Sequence, residues 1–158
     1  MKHTSNKPVL NIDVIDANPF DLAWAAGFID GEGCISVVKQ TYQKKTRRDY
    51  YIRLRLQVVQ NDLASLEHLK KVLGVQSSIN KLGWKPSQTR PIYTLLIDGG
   101  HAIGALEKIE PFLVRKKHQA RACFDLWREG KMGVRTPNVS QELWEIREYY
   151  LKRLQRMK

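Results

Sequence analysis

The spacing of apolar residues changes several times along this chain, and each change predicts an element. The clearest signal runs from Tyr50 to Gln60. Ile52, Leu54, Leu56 and Val58 alternate with Tyr51, Arg53, Arg55 and Gln57, the period of a half-buried strand. Upstream, Leu22 to Gly33 gathers the small residues Ala23, Ala25, Ala26 and Gly27 into a helix of about Pro19 to Asp30. Asn18-Pro19 reads as its cap and first helical position. Gly31 and Gly33 are expected to stop that helix. The stretch from Gly33 to Gln43 is β-like, with Ile35, Val37 and Val38. Asn61-Asp62 caps a helix over Leu63 to Leu73, striped by Leu63, Leu66, Leu69, Val72 and Leu73 and ended by Gly74.

Two further strands are predicted at about Val75 to Trp84 and Pro91 to Ile97, joined by the polar, basic loop Lys85 to Arg90. A helix follows from Gly100 or His101 to Ile109. Glu110-Pro111-Phe112 breaks it, and a longer helix covers about Val114 to Glu129. The basic loop Gly130 to Pro137 leads to a last helix, capped by Asn138 or Ser140 and reaching Lys158. Residues 1–18 carry no periodic pattern beyond a short extended arm at Val9 to Ile15. The order is αββαββα with additional C-terminal helices: an α+β fold in a single domain of 1–158, with an arm at 1–18, a core at 19–126 and a C-terminal loop and helix at 127–158.

Composition narrows the partner. At 158 residues the chain is long enough for one real core. A formal net charge of +11 points to a polyanion, most often nucleic acid. Between Lys39 and Arg55 seven Lys or Arg face one acid, Asp49, so the charge is concentrated on one hairpin. No apolar run approaches a membrane span, and no lipidation motif or basic amphipathic helix with a clean apolar face offers a route to a membrane surface. The first 18 residues lack a signal-peptide core. The expected location is inside a cell, in a bacterial cytoplasm or an organelle such as a chloroplast or mitochondrion. Cys34 and Cys123 are isolated, which argues against zinc or a disulfide and predicts two small buried apolar residues.

The candidate chemistry lies where the small-residue helix ends. Ala23 and Gly27 are four apart and share one helix face, which lets a second backbone come close. Asp30 and Glu32 sit at the end of that face. One carboxylate on a turn is a poor metal site, but a second copy brought in by a facing helix makes a good one. The segment Ala26-Gly27-Phe28-Ile29-Asp30-Gly31-Glu32-Gly33 resembles the LAGLIDADG homing endonuclease motif, with Ala25 at its opening leucine and Glu32 at its final acid. The resemblance continues in Gln57-Val58-Val59-Gln60 and in Pro111-Phe112-Leu113-Val114-Arg115-Lys116-Lys117, and covers about Pro19 to Leu126 in outline. Leu95-Leu96-Ile97-Asp98-Gly99-Gly100 is not a second copy. It has no small-residue helix before it and no second acid, so Asp98 reads as a turn or cap residue.

The resemblance implies a curved four-stranded antiparallel sheet that sits in the DNA major groove. With one motif, it implies a homodimer whose motif helices pack across a two-fold axis through Ala23, Ala26, Gly27 and Asp30, acting on a long, near-palindromic double-stranded DNA site. It implies phosphodiester hydrolysis with Mg2+, for which Mn2+ can substitute and with Ca2+ supporting binding without cleavage. Glu32 and the Gly31 carbonyl are the expected metal ligands. Glu32, Gln60 and Lys116 are the expected catalytic residues, and Asp30 is expected to be structural, capping or bonding the partner's motif helix. The family's basic residue a few positions after the glutamine has no match in Leu63-Ala64-Ser65, so another lysine or arginine is expected in its place.

Outward strand residues are the candidates for DNA contact: Ser36, Val38, Gln40 and Tyr42 on the first strand, Lys44, Lys45, Arg47 and Arg48 on the turn, and Tyr51, Arg53, Arg55 and Gln57 on the second strand. Asn80, Leu82, Trp84, Arg90 and Thr94 follow from the other hairpin. Arginine to guanine and glutamine to adenine are the natural pairings. Two other functions fit the same fold: an RNA-binding intron maturase and a catalytically silent DNA-binding regulator. Glu32 argues against loss of the metal acids. An unrelated nuclease class has weaker support, since Glu129-Gly130-Lys131 falls at a helix end and the four histidines lack metal spacing.

Overall fold

The computed structural model describes residues 17–41, 50–133 and 139–157. Within them the chain forms α1 (Pro19–Glu32), β1 (Gly33–Thr41), β2 (Tyr50–Gln60), α2 (Leu63–Leu73), β3 (Ile79–Lys81), β4 (Tyr93–Asp98), α3 (Gly99–Ile109), a 3-10 turn (Glu110–Phe112), α4 (Lys117–Glu129) and α5 (Gln141–Arg156). The order agrees with the sequence pattern. The four strands make one antiparallel sheet in the order β1-β2-β4-β3. Among the described residues no helix is long and apolar enough to cross a membrane.

Alternation decides which face of the sheet is core. Ile52, Leu54, Leu56 and Val58 of β2 are buried, with Ile35 and Val37 of β1 and Leu95 and Ile97 of β4 beside them. The helices cover this face: Leu66, Leu69 and Leu73 of α2, Ala102, Ala105 and Leu106 of α3, and Ala120, Cys123 and Leu126 of α4 are all buried in the same cluster. Full burial of each large aliphatic side chain contributes about 1.5–3 kcal/mol. The other face of the sheet carries the polar positions. The β1–β2 register sets Ser36 opposite Arg55, Val38 opposite Arg53 and Gln40 opposite Tyr51.

Local signals placed α2 and β2 to the residue. Asp62 accepts the Ala64 N–H at 3.2 Å, and Gly74 ends α2 in the left-handed region with φ +67°. Elsewhere the structure corrects the expectations. Helix α1 runs two residues further, so Gly31 and Glu32 belong to its last turn and Gly31 does not stop it. Gly33 ends the helix in extended backbone, φ −79°. Glycine is needed there for close approach, because a Cβ would lie 2.8 Å from the Ile29 carbonyl oxygen. Strand β3 is only three residues, followed by one bridge from the Leu82 N–H to the Ile92 carbonyl at 2.8 Å. Helix α4 begins at Lys117, three residues late, because the amides before it bond elsewhere. Ser140 caps α5 through Leu143 N–H at 3.1 Å; Asn138 lies outside the described residues. Cys123 is buried as expected, and burial pushes its thiol up to about 12, whereas Cys34 is exposed.

The C-terminal helix is part of the same body. Tyr150 of α5 donates to Glu129 of α4 at 2.7 Å, and Arg147 donates to the Gly130 carbonyl at 2.7 Å. The Tyr50 ring at the start of β2 tilts against Trp144 at 5.2 Å, and its hydroxyl donates to Glu148.

Candidate functional site

Helix α1 is apolar on every side, and only one side meets the core. Ala25, Ala26 and Ile29 are fully buried. On the opposite side Phe20, Ala23, Trp24, Gly27 and Gly31 are exposed at i, i+3, i+4, i+7 and i+11. Phe20 is 86% exposed. Ala26 is therefore removed from the expected dimer surface, because its methyl is spent inside its own chain. A Cβ at Gly27 or Gly31 would meet nothing within 4 Å, so the chain's own packing does not require a glycine at either position. Trp24 stacks on Phe28 at 5.2 Å and meets His68 edge-on at 4.6 Å, which holds one flank of the stripe in place.

At the end of α1 the two acids part company. The Asp30 carboxylate accepts the backbone N–H groups of Val114, Arg115 and Lys116 at 2.7, 3.1 and 2.8 Å. It caps the entry to α4, which explains the late start of that helix, and its hydrogen bonds lie within its own chain instead of on a partner's helix. Burial works to raise its pKa, but the three amides and the nearby Lys116 ammonium together hold it below the ordinary carboxylate value. Lys116 returns the contact: its ammonium donates to the carbonyls of Ile29, at 3.0 Å, and Asp30. Those carbonyls belong to the negative end of the α1 dipole. Burial first, then Arg115, lowers the Lys116 pKa, against the pull of Asp30, Cys34 and Glu32.

Glu32 is exposed, and its carboxylate makes no hydrogen bond or ion pair with the described residues. It stands at the end of a helix whose last turn has no basic residue, where a negative charge is least favoured. Carboxylate and helix-end carbonyls are hard oxygen donors, the kind that Mg2+ takes. Among the described residues no group of three His, Cys, Asp or Glu gathers around one point. One chain thus offers one free carboxylate plus backbone oxygens, half of the donor set that two facing helices would supply.

The structure sorts the expected catalytic residues onto two sides of the α1 terminus. Glu32 and Gln60 line one hollow together with Val59, Asn61, Arg90 and Ile92. Gly31 and Lys116 line another with Cys34, Arg115, His118 and Gln119. Gln60 Oε1 accepts the Asn61 N–H at 3.2 Å, so its amide nitrogen is the end turned to other partners.

The outer face of the sheet holds Val38, Gln40, Tyr51, Arg53, Arg55 and Gln57 as expected from alternation, with Asn80 and Thr94 joined to it through the β3–β4 and β2–β4 pairings. Two of the expected contacts are corrected. Ser36 and Thr94 lie on this face but are 5% and 6% exposed. They are short side chains between long ones and form its floor; Thr94 Oγ1 accepts from Gln57 Nε2 at 3.3 Å. Leu82 and Trp84, at 39% and 60%, are open. Tyr42, Lys44, Lys45, Arg47 and Arg48 fall outside the described residues. Lys39 turns its ammonium over the Tyr50 ring, 4.2 Å from its centre, away from this face.

Sequence reasoning missed Asp98. It occupies the cap position of α3 without making a cap bond; its carboxylate goes to the arginines instead. Arg55 grips it with Nε and Nη2 at 2.8 and 3.0 Å, Arg53 adds Nη1 at 3.2 Å, and Arg53 Nη2 donates to the Tyr51 hydroxyl at 2.8 Å. Burial works to raise the Asp98 pKa, and the two arginines outweigh it. The signal that could have found this pair is the register, which sets Asp98 opposite Arg55 and is not readable before the sheet is assembled.

The family model described as LAGLIDADG endonuclease matches residues 25–98. No curated protein matches the sequence. Among solved structures, the homing endonuclease I-CvuI in complex with the I-CreI target in the presence of Mg is similar, with TM-score 0.72, 20% identity and coverage of 89% of this chain and 85% of that one. I-CvuI with its own target in the presence of Ca gives 0.71, 22%, 89% and 85%. The archaeal intron-encoded homing endonuclease I-Vdi141I complexed with DNA gives 0.68, 21%, 88% and 84%. At these identities the structural likeness establishes the fold.

Proposed function

We propose that the chain is a member of the LAGLIDADG endonuclease family, whose model matches residues 25–98, and that it is a site-specific double-strand DNA endonuclease, working as a homodimer with a divalent cation on a long, near-palindromic site. The observation that carries this reading is Glu32: a carboxylate with no hydrogen bond or ion pair among the described residues, at the exposed end of a helix whose small-residue stripe is exposed. Covering Phe20, Ala23, Trp24, Gly27 and Gly31 with the same stripe of a second copy removes apolar surface from water and brings two Glu32 carboxylates to one axis. The structurally similar I-CvuI complexes with DNA are in the presence of magnesium or calcium, which supports a divalent cation here too.

Each residue then has a task that follows from its position. The outer sheet face, with Arg53, Arg55 and Gln57 at its centre, lies against base edges, while the +11 charge supplies the sequence-independent attraction to phosphates. Lys116 fixes the end of α1, and so fixes where Glu32 stands. The Gln60 amide, beside Glu32, orients the attacking water. A divalent cation, when bound by Glu32 and the Gly31 carbonyl, would neutralise the phosphate, lower the pKa of a bound water and stabilise the leaving oxygen. In each strand a water oxygen forms one P–O bond and gives a proton to solvent, while one P–O bond to a sugar oxygen breaks and that oxygen leaves as a hydroxyl with a proton from solvent.

The test is a cleavage selection. The purified protein is incubated in magnesium with a large random DNA library, and new ends are captured and sequenced. One long, near-palindromic site with short cohesive ends is the expected result. A site enriched by binding in calcium but never cut would make the protein a DNA-binding regulator, and enrichment by neither route would point to RNA.

A further inference from the structure

We propose that Arg90 grips the phosphate being cut, reaching the Glu32–Gln60 hollow from the β3–β4 connection and supplying the basic group absent from Leu63-Ala64-Ser65. This rests on the endonuclease reading above and assigns a residue within it.

The hollow is lined by Glu32, Val59, Gln60, Asn61, Ser87, Gln88, Thr89, Arg90 and Ile92. It has about 370 Å3 of space, against roughly 30 Å3 for one water, so a phosphate and hydrated ion fit side by side. Of the described residues that line it, Arg90 alone is a cation and Glu32 alone is an acid. The Arg90 guanidinium makes no hydrogen bond or ion pair with the described residues, in contrast to Arg53 and Arg55, which Asp98 holds. Its planar fork matches two oxygens of a phosphodiester, and it keeps its charge at any pH the reaction uses.

The backbone beneath Arg90 is fixed, although the side chain is exposed. Gln88 N–H donates to the Lys85 carbonyl at 2.9 Å, and the Gln88 side chain accepts the Lys85 N–H at 2.6 Å, closing residues 85–88 into a turn. Pro91 follows Arg90 and confines it to extended backbone. The Leu82 to Ile92 bridge ties the base of the connection together at 2.8 Å. These bonds limit how far the Arg90 backbone can move, while its exposed side chain is ordered when a phosphate engages it.

Charge logic sets its role. A carboxylate alone repels a phosphodiester. A cation held across the hollow from it offsets that repulsion and binds most strongly as negative charge builds on the phosphate in the transition state. Arg90 donates hydrogen bonds and transfers no proton.

The experiment uses the duplex that the full-length protein selects and cuts. Single-turnover cleavage in magnesium, affinity in calcium and thermal melting are compared for the parent, Arg90→Lys and Arg90→Ala. The expected result for Arg90→Ala is cleavage on the order of 100-fold slower, affinity within about threefold and an unchanged melting temperature. Arg90→Lys should recover part of the rate, because the charge returns without the fork. Cleavage by Arg90→Ala within threefold of the parent overturns the assignment. So does a rate loss that saturating protein restores, which makes Arg90 a general DNA contact. If the parent itself cuts no duplex, the endonuclease reading has failed and the assignment falls with it, an outcome distinct from a parent that cuts and a variant that does too.

Discussion

Asp30 and Lys116 cap each other's helices. The Asp30 carboxylate accepts the Lys116 backbone N–H at 2.8 Å at the entry to α4, while the Lys116 ammonium donates to the Asp30 carbonyl at the end of α1. The exchange joins residues 86 apart in sequence, and it fixes the helix end on which Glu32 stands. Asp30→Ala removes an acceptor from three amides and is expected to cost about 2 kcal/mol or more, given the usual worth of hydrogen bonds to a charged group. A carboxylate whose folded pKa lies below its unfolded one contributes stability above the unfolded value, near 3.9, and loses it as pH falls through the folded value. Urea melts should therefore separate parent and Asp30→Ala widely at pH 6, and the gap should shrink as pH falls below about 3.9. A gap that stayed constant over that fall would show that the charge is not what holds the contact.

Glu32 differs from Asp30 in holding no hydrogen-bond partner among the described residues. Glu32→Gln removes an unfavourable charge from the end of α1, so it is expected to melt no lower than the parent, to keep DNA affinity in calcium and to abolish cleavage in magnesium. Cutting at the parent rate would remove the metal role from this residue.

The uncovered stripe of α1 makes a separate prediction. A Cβ at Gly27 meets nothing within 4 Å, and Gly27→Leu gains about 0.8 kcal/mol of helix propensity. The folded monomer should melt no lower. Across a close-packed two-fold contact the same side chain costs about 1–3 kcal/mol, which raises the dimer dissociation constant by roughly tenfold or more. Sedimentation of the parent as a dimer at micromolar concentration, and of the variant as a monomer, is the expected pair of results. A parent that sediments as a monomer would count against a shared site.

Asp98 is expected to set discrimination more than affinity. With Nε and one Nη2 hydrogen of Arg55 engaged by the carboxylate, the remaining end of the guanidinium would be presented in one orientation to the groove of the proposed DNA complex. Asp98→Ala frees both arginines and removes a negative charge from the face proposed to meet DNA. Binding to random duplex should tighten. The preference at the base pair read by Arg55, worth about 1–3 kcal/mol for a bidentate contact, should shrink. A binding selection that returned the same site with unchanged base preference would exclude this role.

The amino-acid order alone determined the faces of β2, the span of α2 with both its caps, the αββαββα order and the basic balance. These are local: a period of two, an Asp cap, a left-handed glycine and a sum of charges need no distant partner. What tertiary structure decided has a common physical reason. Helix α1 is apolar on every side, so its sequence holds no contrast to say that Ala25, Ala26 and Ile29 face inward while Ala23, Gly27 and Gly31 face out. Asp30 and Glu32 are two apart on a helix, about 200° around its axis, so one meets α4 and the other stands free. Which is which depends on how α1 lies on the sheet. The Asp98 clamp and the placement of Arg90 beside Glu32 likewise follow from the β2–β4 register, which brings together residues that no local pattern connects.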